Sequence, residues 1–423
     1  MKTIRIGLCV LFAFSVLAQG TVEVWSESLL EIGASILLIC WVVVAYKNRS
    51  MTIQWNLLYW PPFALVGIGI FQLAFHFTAN PFRTRIELLR LGAYCIVFFL
   101  TAQAFRDRAS LAKLAWFLIF LGFSVGLLGI VQHFTSEYTI YWFRHLPQGG
   151  DPFGPYVNRN HFAGFVELVA PVGLGLLVFR GVRQDLAPMV TLLTILPVAA
   201  LILSGSRGGI VSFAFEVGVL ALLARTRRGR EGPKAWAIAF VALAALGMIA
   251  WVGAGKAIER FSRTRASDVT LVRRASMFRG AEHVFLDHPF KGIGLGALVS
   301  VYPQYETGYD RLVVDHVHDD YIEALAETGI LGGLCGIAFL LLLFREARKS
   351  FSAEQGHFSR ALHAGAITAV CGLLLHSFVD FNLHIPSNAL LFLLQAYLVT
   401  SPPLPSEGTR RQKRTREHSY AEL

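Results

Sequence analysis

Apolar runs close to the length that carries a helix across a bilayer core, about 20 residues for roughly 30 Å, recur along nearly the whole chain. They fall near residues 6–20, 29–46, 57–76, 88–105, 114–134, 161–179, 187–204, 208–224, 235–254, 329–344, 360–378 and 387–400. The pattern predicts an all-α, polytopic integral membrane protein with about 12 transmembrane helices. Composition agrees: 54% of residues are hydrophobic and only 16% charged, with a mean hydropathy of +0.53, too apolar for an ordinary soluble protein. No repeat or added soluble domain is visible, so residues 1–400 read as one membrane domain and 401–423 as a basic, disordered tail. The first run follows Lys2 and Arg5 in the manner of a signal peptide. With no soluble domain after it, it reads as a retained first span. The five cysteines lie inside apolar runs without metal-like spacing and read as packing residues.

The net charge of +10 is a statement about topology before it is one about partners. Most Lys and Arg residues fall in alternate connections, among them Lys47/Arg49, Arg106/Arg108/Lys113, the ARTRRGREGPK loop and the tail. Both termini are therefore expected on the cytoplasmic side, and the basic tail reads as facing membrane lipids rather than nucleic acid.

Two connections on the opposite side are too long to be simple turns, at about 135–160 and 255–320, and function is sought there first. The longer one carries Lys256, Arg260, Arg263 and Arg265, then LVRRASMFRGAEHVFLDHPFKGIGLG. There Arg274, Phe278, Ala281 and Phe285 share one helical face, predicting an amphipathic helix on the outer membrane surface that ends at His288-Pro289. Its arginines, Arg274 with Arg273 and Arg279 as competitors, either meet lipid head groups or hold a phosphate over a cavity. SGSRGG places Arg207 between two spans, where it either snorkels to the interface or serves a site. DPFGPYVNRNHFAGF brings Asn158, Arg159, Asn160 and His161 to the start of a span, suited to sugar hydroxyls or to capping, with Asn160 as the expected N-cap. HSFVDFNLHIPSN holds His376, Asp380, Asn382 and His384 in a short link whose plain alternative is a hydrogen-bonded turn.

The densest polar cluster is VDHVHDDYIEALAETGILGG, with Asp315, His316, His318, Asp319 and Asp320 before a long apolar run. A zinc or binuclear site needs further ligands at recognisable spacing, and His161, His283, His288 and His384 are scattered. Asp319 or Asp320 can start the helix, with Glu323 and Glu327 following on one face. A cap leaves His316 and His318 unused, whereas a histidine beside a carboxylate suits removal of a proton from a hydroxyl nucleophile. With the outward arginines, this suggests transfer of a group that leaves a phosphate behind.

Taken in order, FGPYVNRNHFAGF, LSGSRGG, the Arg274-to-GIGLG segment and HVHDDYIEALAETGILGG, supported by HSFVDFNLHIPSN, resemble the O-antigen ligase and polymerase family of bacterial membrane glycosyltransferases over roughly 150–390. The resemblance implies a GT-C-like architecture in the inner membrane with a partly helical periplasmic loop and a periplasmic site. It implies a glycan on a polyprenyl (undecaprenyl) pyrophosphate as donor and a sugar hydroxyl, such as lipid A-core or a growing glycan, as acceptor. No metal or other cofactor is implied. By position, Arg207 and Arg274 match arginines that hold the pyrophosphate, and His318 matches the base of an inverting transfer. Where many members have His-Asn, this chain has His318-Asp319, and His316 is the second candidate. Ligation is preferred to repeat-unit or exopolysaccharide polymerisation. A flippase for lipid-linked sugars is the alternative of another class, and it calls for charges or broken helices inside the spans. Charge is read here as concentrated at the outer ends.

Overall fold

A computed structural model describes residues 1–49, 52–136, 139–146, 150–225, 271–306, 313–352 and 356–401. The helices are α1 (Lys2–Leu17), α2 (Val24–Lys47), α3 (Trp60–Ala74), α4 (Pro81–Ala104), α5 (Arg108–Thr135), α6 (Arg159–Val178), α7 (Ala187–Ser204), α8 (Arg207–Arg225), α9 (Leu271–Asp287), α10 (Asp320–Ser352), α11 (His357–His376) and α12 (Pro386–Thr400). Among the described residues no strand forms beyond isolated bridges in the 139–158 connection, and nine helices are long and apolar enough to cross a membrane. Each expected span coincides with a helix except 235–254, which lies outside the described residues. So do Lys256, Arg260, Arg263, Arg265, the ARTRRGREGPK loop beyond Arg225, and the tail from 402.

Local chemistry sets the helix ends. Asn80 caps α4 by accepting from Arg83 N (3.1 Å), with Pro81 at the first position. Asp107 and Ser110 close a capping box on α5. The bundle is built around α6, which is buried along nearly its whole length and packs on α5, α7, α8, α11 and α12. Its approach to α11 is a backbone-to-backbone one. A Cβ on Gly175 would stand 2.4 Å from the Ala361 carbonyl oxygen, and one on Gly365 2.5 Å from that of Pro171. Small residues are what let membrane helices meet this closely.

α10 is two segments. Gly329 has φ 63° and ψ −164°, breaking the helix between a short arm, Asp320–Thr328, and the membrane-length remainder. A strap through GIGLG holds the arm's end: Ile293 N donates to Ala326 O (3.1 Å), Gly294 N to Glu327 O (3.0 Å) and Ile330 N to Pro289 O (2.7 Å). Gln72 of α3 clamps the junction from the bundle side, donating to Lys291 O (2.7 Å) and Glu327 O (2.8 Å). The polar run that precedes the apolar one is thus a rigid bracket. A Cβ at Gly329 would lie 2.5 Å from the Phe290 carbonyl, in a backbone region open to glycine alone. Gly329→Ala is therefore expected to destabilise the protein by about 1–3 kcal/mol or more. Gly336→Ala, where nothing stands within 4 Å, should not. Thermal unfolding in detergent checks the pair.

The amphipathic helix forms as α9, and its buried face matches the expected one only in part, through Ala281. Met277, Ala281 and Val284 pack inward, while Phe278 is largely exposed. The reason is that α9 lies on the strap and the residues after it, where Tyr302 closes over Gly280, rather than only on lipid.

Candidate active site

At the end of the bundle where α1, α3, α5 and α7 finish, the helices splay around a cavity of about 1720 Å³. Arg207, Arg274, His316 and His318 line it, as do Asn158, Arg159, Asn160, His161, Asp380 and His384. Residues nearly 230 apart in sequence are thereby brought to one space.

Asp380, in the link between α11 and α12, is the centre of the arrangement. Its carboxylate is buried, with Oδ1 3.2 Å from His318 Nδ1 and 3.7 Å from His161 Nε2. Phe381 N donates to Oδ1 (2.9 Å), and the Asn160 amide donates to Oδ2. Arg274 donates from Nη1 to Val379 O (2.7 Å), leaving Nη2 3.8 Å from Asp380 Oδ2. Burial alone would raise the Asp380 carboxyl, but the bonds from His161 and His318 outweigh it and hold the group well below the usual carboxylate range. An ionised Asp380 accepts from His318 Nδ1–H, so His318 Nε2 keeps its lone pair. His318 itself sits at φ 56°, an uncommon conformation for a non-glycine residue. The bond from Asp320 N to Ser377 O (3.0 Å) ties the next turn to the α11–α12 link.

Asn160 reaches Asp380 because it is not the N-cap. Asn158 caps α6, accepting from Asn160 N (2.9 Å), which frees the Asn160 side chain to bridge Asp380 and Ser206 Oγ (2.8 Å). Arg159 pairs with Asp151 (2.5 Å). Asp319 caps the α10 arm, its Oδ1 accepting from Tyr321 N (2.9 Å) and Ile322 N (3.0 Å). Burial raises its carboxyl above the usual range despite those bonds. Neither Asp319 nor Arg279 lines the cavity, and Arg279 lies on the exposed side of α9.

A second cluster adjoins the first. His316 Nδ1 is 2.6 Å from Glu323 Oε1, whose partner oxygen accepts from Val317 N (3.0 Å). His384 stands with Nδ1 2.7 Å from Asp320 Oδ1 and Nε2 3.5 Å from Glu323 Oε1. Phe381 separates the clusters, its ring centroid 4.5 Å from that of His316, 4.9 Å from His318 and 4.7 Å from His161. Among the described residues, His316, Glu323 and His384 offer ligand atoms within 4.8 Å of one another and could hold a cation. Those atoms already satisfy each other, His384 lying between two carboxylates.

Burial disfavours a charged His384, but Glu323 and Asp320 outweigh it and hold the imidazole up at about 10. A histidine raised above its ordinary ~6.5 stabilises the fold fully below that value, and the contribution is lost as pH rises through about 10. Between pH 6.5 and 10 the thermal stability of the wild type should therefore fall more than that of His384→Asn. Parallel curves would remove the ion-pair role.

Sequence reasoning passed over two groups. Glu27, Glu31, Glu87 and Arg90 line the far wall of the cavity. Inside the bundle Glu167 and Glu216 are fully buried, Glu167 paired with His376 Nδ1 (2.9 Å). Charge is thus not confined to the outer ends of the spans, contrary to the reading above, and α10 is broken at Gly329. Single glutamates in GFVELVAP and FAFEVGVL were the available signal, since an ionisable residue within a span rarely lacks a role.

Residues 192–337 match the family model described as O-antigen ligase. That region contains Arg207, Arg274, His316 and His318. No curated protein matches the chain.

Proposed function

We propose that the chain, whose residues 192–337 match the O-antigen ligase family model, transfers a glycan from a polyprenyl pyrophosphate to a sugar hydroxyl in the cavity. The observation that carries this reading is the meeting of Arg207, Arg274 and a carboxylate-anchored His318 around one space. The arginines hold the pyrophosphate and take up the charge that develops on it as it departs. His318 Nε2 removes the proton from the acceptor hydroxyl, whose oxygen attacks the anomeric carbon from the side opposite the pyrophosphate. The glycosidic bond to phosphate breaks, a new one forms, and the configuration inverts. Asp380 holds the imidazole in the tautomer this needs. The site faces the periplasm and both termini the cytoplasm, in keeping with the distribution of basic residues. Ligation to lipid A-core is preferred to polymerisation.

Glu167, Glu216 and the break at Gly329 favour a second reading, a carrier of lipid-linked sugars. Proteoliposomes holding an undecaprenyl pyrophosphate-linked glycan separate the two. Transfer gives a product whose mass is donor glycan plus acceptor, with lipid A-core or the repeat unit distinguishing ligase from polymerase. Movement of the lipid-linked glycan between leaflets without a new glycosidic bond would overturn the transferase.

A further inference from the structure

The cavity is larger than the donor's pyrophosphate and the base require, and its residues occur in a definite order. Arg207 and Arg274 stand at one side, then Asp380 with His318, then Phe381 and the His316–Glu323–His384 cluster. Glu327 of the α10 arm follows, accepting from Leu298 N (3.2 Å) beyond the strap. Gly296 of the strap abuts the Glu87 side chain, where a Cβ would lie 2.4 Å from Cγ. At the far wall Glu87 pairs with Arg90 (2.6 Å), and Arg90 pairs with Glu27 across α2 and α4. Glu31, one turn below Glu27, also lines the cavity, and among the described residues no cation stands within ion-pair distance of it.

We infer that the wall formed by Glu27, Glu31, Glu87 and Arg90 is the subsite for the acceptor's sugar, and that it selects a hydroxyl-rich ring without negative charge. The inference rests on the proposed transfer. In an inverting displacement the nucleophile and the leaving group lie on opposite sides of the reacting carbon. With the pyrophosphate on Arg207 and Arg274 and the base at His318, the acceptor extends away from the arginines, toward α2 and α4. The groups waiting there suit a polyol, since carboxylate oxygens accept from hydroxyls while a guanidinium donates to them. Glu27, Glu31 and Glu87 outnumber Arg90 and the neighbouring Arg83, which leaves the wall negative and disfavours an acidic sugar.

Glu31→Gln tests this, because among the described residues Glu31 holds no ion pair whose loss would disturb packing. Initial rates are measured in proteoliposomes with an undecaprenyl pyrophosphate-linked neutral trisaccharide as donor. The acceptors are a neutral oligosaccharide and its analogue with a uronic acid at the accepting ring. Losing a hydrogen bond to a charged group should raise the acceptor KM by roughly tenfold or more. The donor KM and kcat should stay near wild type, and Glu31→Lys should shift preference toward the uronic acid. A rise in donor KM instead, or unchanged acceptor KM in both variants while transfer persists, overturns the assignment. Failure of the wild type to transfer to any acceptor would instead sink the transferase reading itself, so the two failures are distinguishable.

Discussion

His318→Ala is expected to lower glycan transfer by about 10²–10⁴-fold, the usual contribution of a positioned proton acceptor, without loss of membrane insertion. The imidazole does not hold the bundle together. Its anchoring contact is the single bond to Asp380, a carboxylate that Asn160, His161 and Phe381 N continue to support when the ring is gone. His316→Ala should cost less, because the His316 Nδ1 bond goes to Glu323 in the neighbouring cluster and its ring stacks on Phe381. Asp380→Asn sharpens the comparison. An amide can donate to His318 Nδ1 where the carboxylate could only accept, which turns the imidazole to the tautomer with a proton on Nε2. Rates should then fall toward those of His318→Ala with donor binding retained. Wild-type rates in His318→Ala, measured with the lipid-linked donor, would assign the base elsewhere, with His316 next in line.

The bundle was legible because hydrocarbon leaves a chain little choice. Runs such as 114–134 and 187–204 must be helices, and they are. The site was legible in its parts for a related reason: polar groups such as His318, Arg207 and Asp380 stand out against apolar sequence. What sequence could not give was their mutual arrangement. That Asn158 caps α6 and releases Asn160 to Asp380 depends on a link more than 200 residues away. The inward face of α9 was only partly legible because helical spacing identifies a stripe but not its neighbour. Here the neighbour is the strap and Tyr302, which select Met277, Ala281 and Val284 over Phe278. Only packing of α2 on α4 turns Arg90, with Glu27 and Glu87, into a cavity wall.

Arg274→Ala is expected to reduce kcat/KM by about 10²–10³-fold, the scale seen when a group that stabilises developing charge is removed. One edge of the guanidinium is already spent: Nη1 is bonded to Val379 O, and Nη2 stands 3.8 Å from Asp380. That backbone contact fixes the plane of the side chain at the cavity wall, so the charge is in place before the pyrophosphate arrives. Lysine keeps the charge but not the fork. Arg274→Lys must choose between Val379 O and a phosphate oxygen, and it should recover only part of the rate. Charge on the pyrophosphate grows as the glycosidic bond breaks, so the loss should fall on kcat more than on donor KM. Arg279→Ala, five residues along and on the exposed side of α9, provides the comparison for a generic loss of positive charge near the membrane. It should remain near wild type. Equal losses in Arg274→Ala and Arg279→Ala would mean that α9 acts through its overall charge on lipid or donor recruitment, and would remove Arg274 from the reaction.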